Sequence, residues 1–130
     1  MIKKVFKDKE KVKSLLKLIE EREKFLELDI KFPTIIVETY YEIIKELSVA
    51  SLLLDGLKAI GEDAHKEMLD YLINYNEFSA SDVVLLQDLR KKRNKSMYEG
   101  KQIEPNYLEN KEQNFKKIIS KLKNNIKTRL

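Results

Sequence analysis

Along most of this chain apolar residues recur at steps of three and four, the period of a helix that turns one face inward. Over residues 7–31 the apolar positions are Val12, Leu15, Leu16, Ile19, Leu26 and Ile30, spaced among charges. They predict a charged amphipathic helix stopped by Pro33, with "FPT" as a corner. Residues 35–60 hold the most apolar pattern: Ile36, Tyr40, Ile43, Ile44, Leu47, Ala50, Leu54 and Leu57 predict a long helix. Gly61 is suited to end it. Gly56 falls inside the pattern, where glycine costs stability unless close packing requires it. Asp63 can cap a helix over 64–76, Asn74 to Ser79 reads as a turn, and Ser79 or Ser81 can cap a helix over 82–97. "EGKQIEP" reads as a loop. Pro105 suits the first turn of a last helix, which carries Leu108, Phe115, Ile118, Ile119, Leu122 and Ile126 on one face.

Five helices with short connections predict an all-α fold, a four- to five-helix up-down bundle in one domain over 1–130, with 1–32 as an N-terminal charged helix. The heptad seam is not sustained, which argues against a long coiled coil. Composition agrees: apolar residues make up 42% of the chain, charged residues 37%, and only three glycines and two prolines interrupt it. The absence of cysteine excludes a disulfide framework, thiolate zinc sites and cysteine nucleophiles, and fits a cytoplasmic protein. The first residues lack the apolar run of a signal peptide, and no segment reaches the roughly 18 apolar residues of a membrane span.

The net charge is +4, with the basic surplus in the last third. From Lys111 to Leu130 there are seven basic residues against one acid, Glu112, and "RKKRNKSMYEG" adds Arg90, Lys91, Lys92, Arg93 and Lys95. Such clustering is either a solvated face or a footprint for phosphate. Most enzyme classes fall away. There is no P-loop or dinucleotide fingerprint, and the paired Glu-x-x-His motifs of a di-iron bundle are absent. No metal or other cofactor is expected. The single histidine, His65 in "GEDAHKEML", reads as structural or surface.

Two features point to chemistry. Glu38, Glu42 and Glu46 repeat every four residues on the most apolar helix, where like charges repel by about 0.2–0.5 kcal/mol per pair. They are either a solvated stripe eased by Lys45 or the partners of a cationic helix, and the spacing offers Glu42 or Glu46 as the group that orients Arg93. Leu86, Leu89, Arg93 and Met97 share one side of their helix, so Arg93 continues an apolar seam, where a guanidinium needs a carboxylate or a phosphate. Arg90, Asn94 and Tyr98 lie nearby. An arginine, an asparagine and a tyrosine near one helix end suit an anionic ligand that carries a base.

At "RNKSMYEG" the chain resembles the HEPN domain family, whose motif reads Arg, usually Asn, then a few residues and His. "YYEIIKELSVASLLLDGLKAIGEDAHKEMLDYL", residues 40–72, is similar to the second and third helices of archaeal and bacterial members, and "LLQDLRKKRN" to the approach to the motif. The resemblance covers residues 35–126. It implies a helical bundle that dimerises, motif residues of two subunits meeting in one cleft. It also implies a metal-independent ribonuclease or RNA-binding activity, with a small nucleotidyltransferase partner of toxin–antitoxin type. Arg93 and Asn94 match the motif start, but Tyr98 stands where the histidine belongs. A phenol titrates near 10 and is a poor general base at neutral pH. Gly100 stands near the place of the family's adenylylated tyrosine, so that modification does not carry over. Three expectations follow. One is an RNA- or nucleotide-binding homodimeric subunit with weak or absent nuclease activity, its ligand held by Arg90, Arg93, Asn94 and Tyr98. The second is an active ribonuclease in which Arg93 and Tyr98 are catalytic. The third is a non-catalytic interaction module.

Overall fold

The computed structural model describes all 130 residues, 72% of them helical, as five helices with a small two-stranded sheet. In chain order these are β1 (Ile2–Lys4), α1 (Lys9–Leu26), α2 (Pro33–Leu54), β2 (Leu57–Ala59), α3 (Ala64–Tyr71), α4 (Ala80–Glu99) and α5 (Pro105–Lys127), with one 3-10 turn (Leu72–Asn74) after α3. No helix is long and apolar enough to cross a membrane.

Partner pairs give the direction of each helix. Glu42 meets Arg93 and Glu38 meets Ser96, so α2 and α4 are antiparallel. Lys121 meets Asp82 while Tyr107 meets Asp88, so α4 and α5 are antiparallel as well. Thr34 accepts from the Ile103 amide, Tyr40 donates to Glu112, and the Ser51 carbonyl accepts from Arg129, so α2 and α5 run parallel. Helix α2 contacts all four other helices. Its side chains therefore dominate one cluster of 24 buried apolar residues, which includes Tyr41, Ile43, Ile44 and Leu47 with Leu86 and Leu89 of α4 and Phe115 of α5. Each buried side chain of leucine size contributes about 1.5–3 kcal/mol.

Local chemistry fixes the helix ends. Ser79 and Asp82 form a reciprocal capping box at the start of α4. Gly100, at φ 67°, ends that helix in the left-handed conformation. The boundaries differ from the periodicity most around the first two helices, while α3 ends at Tyr71 and not near residue 76. The first helix stops at Leu26, not near residue 31, and Pro33 begins α2, where its missing N–H costs nothing. Helix α2 ends at Leu54, not at residue 60. Gly56 adopts φ 70° just beyond it, so it lies outside the helix, and its carbonyl accepts from the Val5 amide at 2.8 Å. Leu57–Ala59 then forms β2, antiparallel to β1 with Lys3 opposite Lys58, a pairing that local periodicity cannot reveal. The seam on α4 also ends earlier than expected: Arg93 is 7% exposed, but Met97 is 50% exposed.

Candidate functional site

The three glutamates of α2 go to three different partners. Glu38 accepts from the Ser96 hydroxyl at 2.8 Å and Glu42 accepts from Arg93 Nη2 at 2.9 Å, both across the α2–α4 interface. Glu46 turns the other way and pairs with Arg22 of α1, so it does not orient Arg93. Glu42 also holds Lys45 at 2.6 Å. Burial acts to raise the Glu42 carboxyl, but the Lys45 hydrogen bond and the charges of Lys45 and Arg93 outweigh it and hold the group below the ordinary carboxylate value.

Arg93 is thus committed inward. Its Nη1 donates to Asn94 Oδ1 at 3.3 Å, its guanidinium lies 5.0 Å from the centre of the Tyr41 ring, and its Nε is buried without a partner. A group this enclosed is not placed to grip a phosphate from solvent. Its evident work is to hold α4 on α2 and to fix the Asn94 amide, whose Nδ2 makes no hydrogen bond within the protein. Tyr41 is fully buried, and burial pushes its phenol up to about 12 against the opposing charges of Arg93 and Arg90.

Arg90, one turn earlier, has the opposite fate. Its Nε donates to Gln87 Oε1 at 2.7 Å. Gln87 in turn donates to the Lys66 carbonyl and to Asp70 Oδ1, each at 2.8 Å. One amide therefore ties α3 to α4 and aims the arginine, whose Nη groups have no protein partner. Beside it opens a cavity of about 300 Å³ between residues 61–66, the turn that enters α3 and that helix's first residues, and the second half of α4. Arg90, Asn94 and Tyr98 form one wall, with Tyr98 73% exposed. The facing wall carries His65 and Lys66 together with the carboxylates of Glu62 and Asp63.

His65 is the functional candidate that the sequence pattern passed over. Its ring centre lies 6.4 Å from that of Tyr41. Burial lowers its pKa, the charges of Lys45, Arg93 and Arg90 act the same way, and Glu42 alone opposes them. The imidazole is therefore largely neutral near pH 7 and can accept a proton. The only signal was its place at the start of a helix, just after a glycine turn.

Among the four expected ligand residues, Arg90, Asn94 and Tyr98 share the cavity and Arg93 stands behind it. No group of three or more His, Asp or Glu side chains is arranged to hold a metal ion. Comparison with known proteins was silent. No family model, curated protein or solved structure matches this chain.

Proposed function

We propose that this chain is a HEPN-type RNA- or nucleotide-binding subunit that uses the cleft between α3 and α4. The observation that carries the reading is the mixed lining of that one cavity: Arg90 and Lys66 on one hand, Glu62 and Asp63 on the other, with the Tyr98 ring and the Asn94 amide between. A bare phosphate would meet two carboxylates as well as two cations. A nucleotide suits both signs, because its phosphate takes the arginine Nη groups while ribose hydroxyls or base amino groups donate to the carboxylates. An exposed tyrosine adds a stacking face, about 1–3 kcal/mol per base. In this reading the subunit works as a homodimer with a small nucleotidyltransferase of toxin–antitoxin type, and nuclease activity is weak or absent because Tyr98 replaces the motif histidine.

His65 favours a second reading, a metal-independent ribonuclease. A neutral imidazole in the cleft can take the proton of a 2′-hydroxyl as its oxygen attacks phosphorus, the bond to the 5′-oxygen breaks, and water protonates the leaving oxygen. Arg90 would carry the added charge on the phosphoryl oxygens.

Binding of short RNA and of ATP at two salt concentrations, for wild type, Arg90→Ala and Tyr98→Ala, tests the first reading. Affinity should fall about tenfold or more without Arg90. Unchanged binding in Arg90→Ala removes the cleft as the site. Cleavage of the same RNA in the presence of a chelator, compared for wild type and His65→Ala, separates the two readings. A gain of activity in Tyr98→His would show a scaffold that lacks only its proton-transfer group.

A further inference from the structure

A second cavity, of about 360 Å³, lies at the corner where α4 hands over to α5. Lys92 and Lys95 reach it from α4, Lys101 from the connecting loop and Lys111 from α5. None of the four has a carboxylate within 4 Å, whereas Lys13, Lys31, Lys45, Lys121 and Lys123 each have one. Glu104 is the only acid in the lining. The amides of Gln102, Asn106 and Asn110 add neutral donors around the same space. Four like charges brought together without counter-charges repel one another, so the arrangement is stabilised by an anion that bridges them.

We propose that this corner is a separate anion site that takes a compact chain of phosphates, of the pyrophosphate or triphosphate class, through Lys92, Lys95, Lys101 and Lys111. Three observations set the class. The donors are ammonium groups, point charges that suit phosphate oxygens from several directions and do not demand the planar fit of a carboxylate. Their number exceeds what one singly charged anion can satisfy. The one aromatic ring in the lining, Tyr107, is already occupied: Lys92 Nζ sits 5.2 Å from its centre, and its hydroxyl donates to Asp88 at 3.0 Å. Lys92 thus covers one face of the Tyr107 ring, and Phe115 lies 6.2 Å from its centre, in contrast to Tyr98, which is 73% exposed in the cleft. The same chemistry is met by free polyphosphate and by the phosphate tail of a nucleotide or of an RNA 5′ end.

The test is calorimetric titration with sodium tripolyphosphate, sulfate and ATP on the full chain, as wild type, Arg90→Ala and the double variant Lys101→Ala/Lys111→Ala. The Lys101 and Lys111 side chains make no hydrogen bond within the protein, so the thermal midpoint of the double variant should match wild type. We expect tripolyphosphate to bind wild type far better than sulfate, the double variant to weaken it by about tenfold, and Arg90→Ala to leave it unchanged. If ATP binding falls with tripolyphosphate binding in the double variant, the source is a nucleotide tail. If only tripolyphosphate binding falls, the source is free polyphosphate. Equal binding of sulfate and tripolyphosphate would reduce the corner to diffuse attraction and overturn the site. An unaltered double variant would do the same. Loss in Arg90→Ala alone would move the phosphates to the cleft, overturning this site while sustaining the cleft.

Discussion

Removing the Arg93 guanidinium tests whether the arginine acts on stability first and on ligand second. Arg93→Ala leaves Glu42 Oε1 without its donor at 2.9 Å, frees the Asn94 amide, and uncovers the Tyr41 ring. Breaking a buried ion pair from one side costs about 3–5 kcal/mol. Lys45 still holds Glu42 at 2.6 Å, which puts the electrostatic loss at the low end. Lost stacking on Tyr41 adds about 0.5–2 kcal/mol. The expected loss is therefore about 3.5–5 kcal/mol, a large share of the roughly 5–15 kcal/mol that a domain has. Glu42→Gln keeps an acceptor and removes only charge, so about 2 kcal/mol is expected. Urea unfolding of wild type, both single variants and the double variant gives the coupling directly. A value of about 1.5–3 kcal/mol marks a charged hydrogen bond in a buried setting. A coupling below about 0.5 kcal/mol, typical of exposed pairs, would refute the reasoning. The pH dependence offers a check. The folded-state pKa of Glu42 is lowered, so its contribution is complete above the ordinary value of 4.5 and is lost as pH falls through the folded value. Glu42→Gln should flatten that acid slope.

Gly56→Ala should destabilise by about 2 kcal/mol or more in the same urea assay, because φ is 70° and an added Cβ would lie 2.9 Å from the Val5 carbonyl oxygen. A neutral effect would show that the β1–β2 clamp can shift. The His65 ring, followed by NMR, should titrate below its ordinary value of 6.5. Since that lowered pKa belongs to the folded state, the group favours folding above pH 6.5 and loses that advantage as pH falls through the folded value, and a midpoint above 6.5 would contradict the placement of the ring. Ser79→Ala should cost about 1 kcal/mol through the capping box, measured by thermal unfolding, whereas loss of a mere surface hydroxyl would leave the midpoint unchanged.

The helical part of this fold was legible because its signal is periodic. Val12 and Ile19 on α1, the run from Tyr40 to Leu54 on α2, and Phe115 to Ile126 on α5 are buried where three- and four-residue spacing placed them. The small sheet was not, because Ile2–Lys4 finds its partner more than fifty residues away and three residues leave no readable period. Gly56 kept the α2 pattern looking continuous, since Leu57 falls in register although its backbone is already a strand. At the site, spacing placed Arg93 on the seam, and its need for a carboxylate is met by Glu42. The side of α2 on which Glu46 sits depends on α1, which supplies Arg22, and no local rule reports that. His65 and Gln87 were hidden for the same reason. Each acquires its surroundings from the docking of α3 on α4, which is a tertiary event.

Arg90 and Arg93 are three residues apart on one helix, yet one guanidinium faces a cleft and the other supports the bundle. Selection would treat the two positions differently. Position 93 is constrained by folding through Glu42 and Tyr41, whether or not the cleft holds a ligand, so descendants of this chain would keep an arginine there in either case. Positions 65, 90 and 98 have no comparable structural role, so under the proposed binding reading only a ligand would hold them constant. In a lineage of such chains, if the proposed binding holds, the tempo of change at those three columns, and not the persistence of the Arg-Asn pair, would follow it.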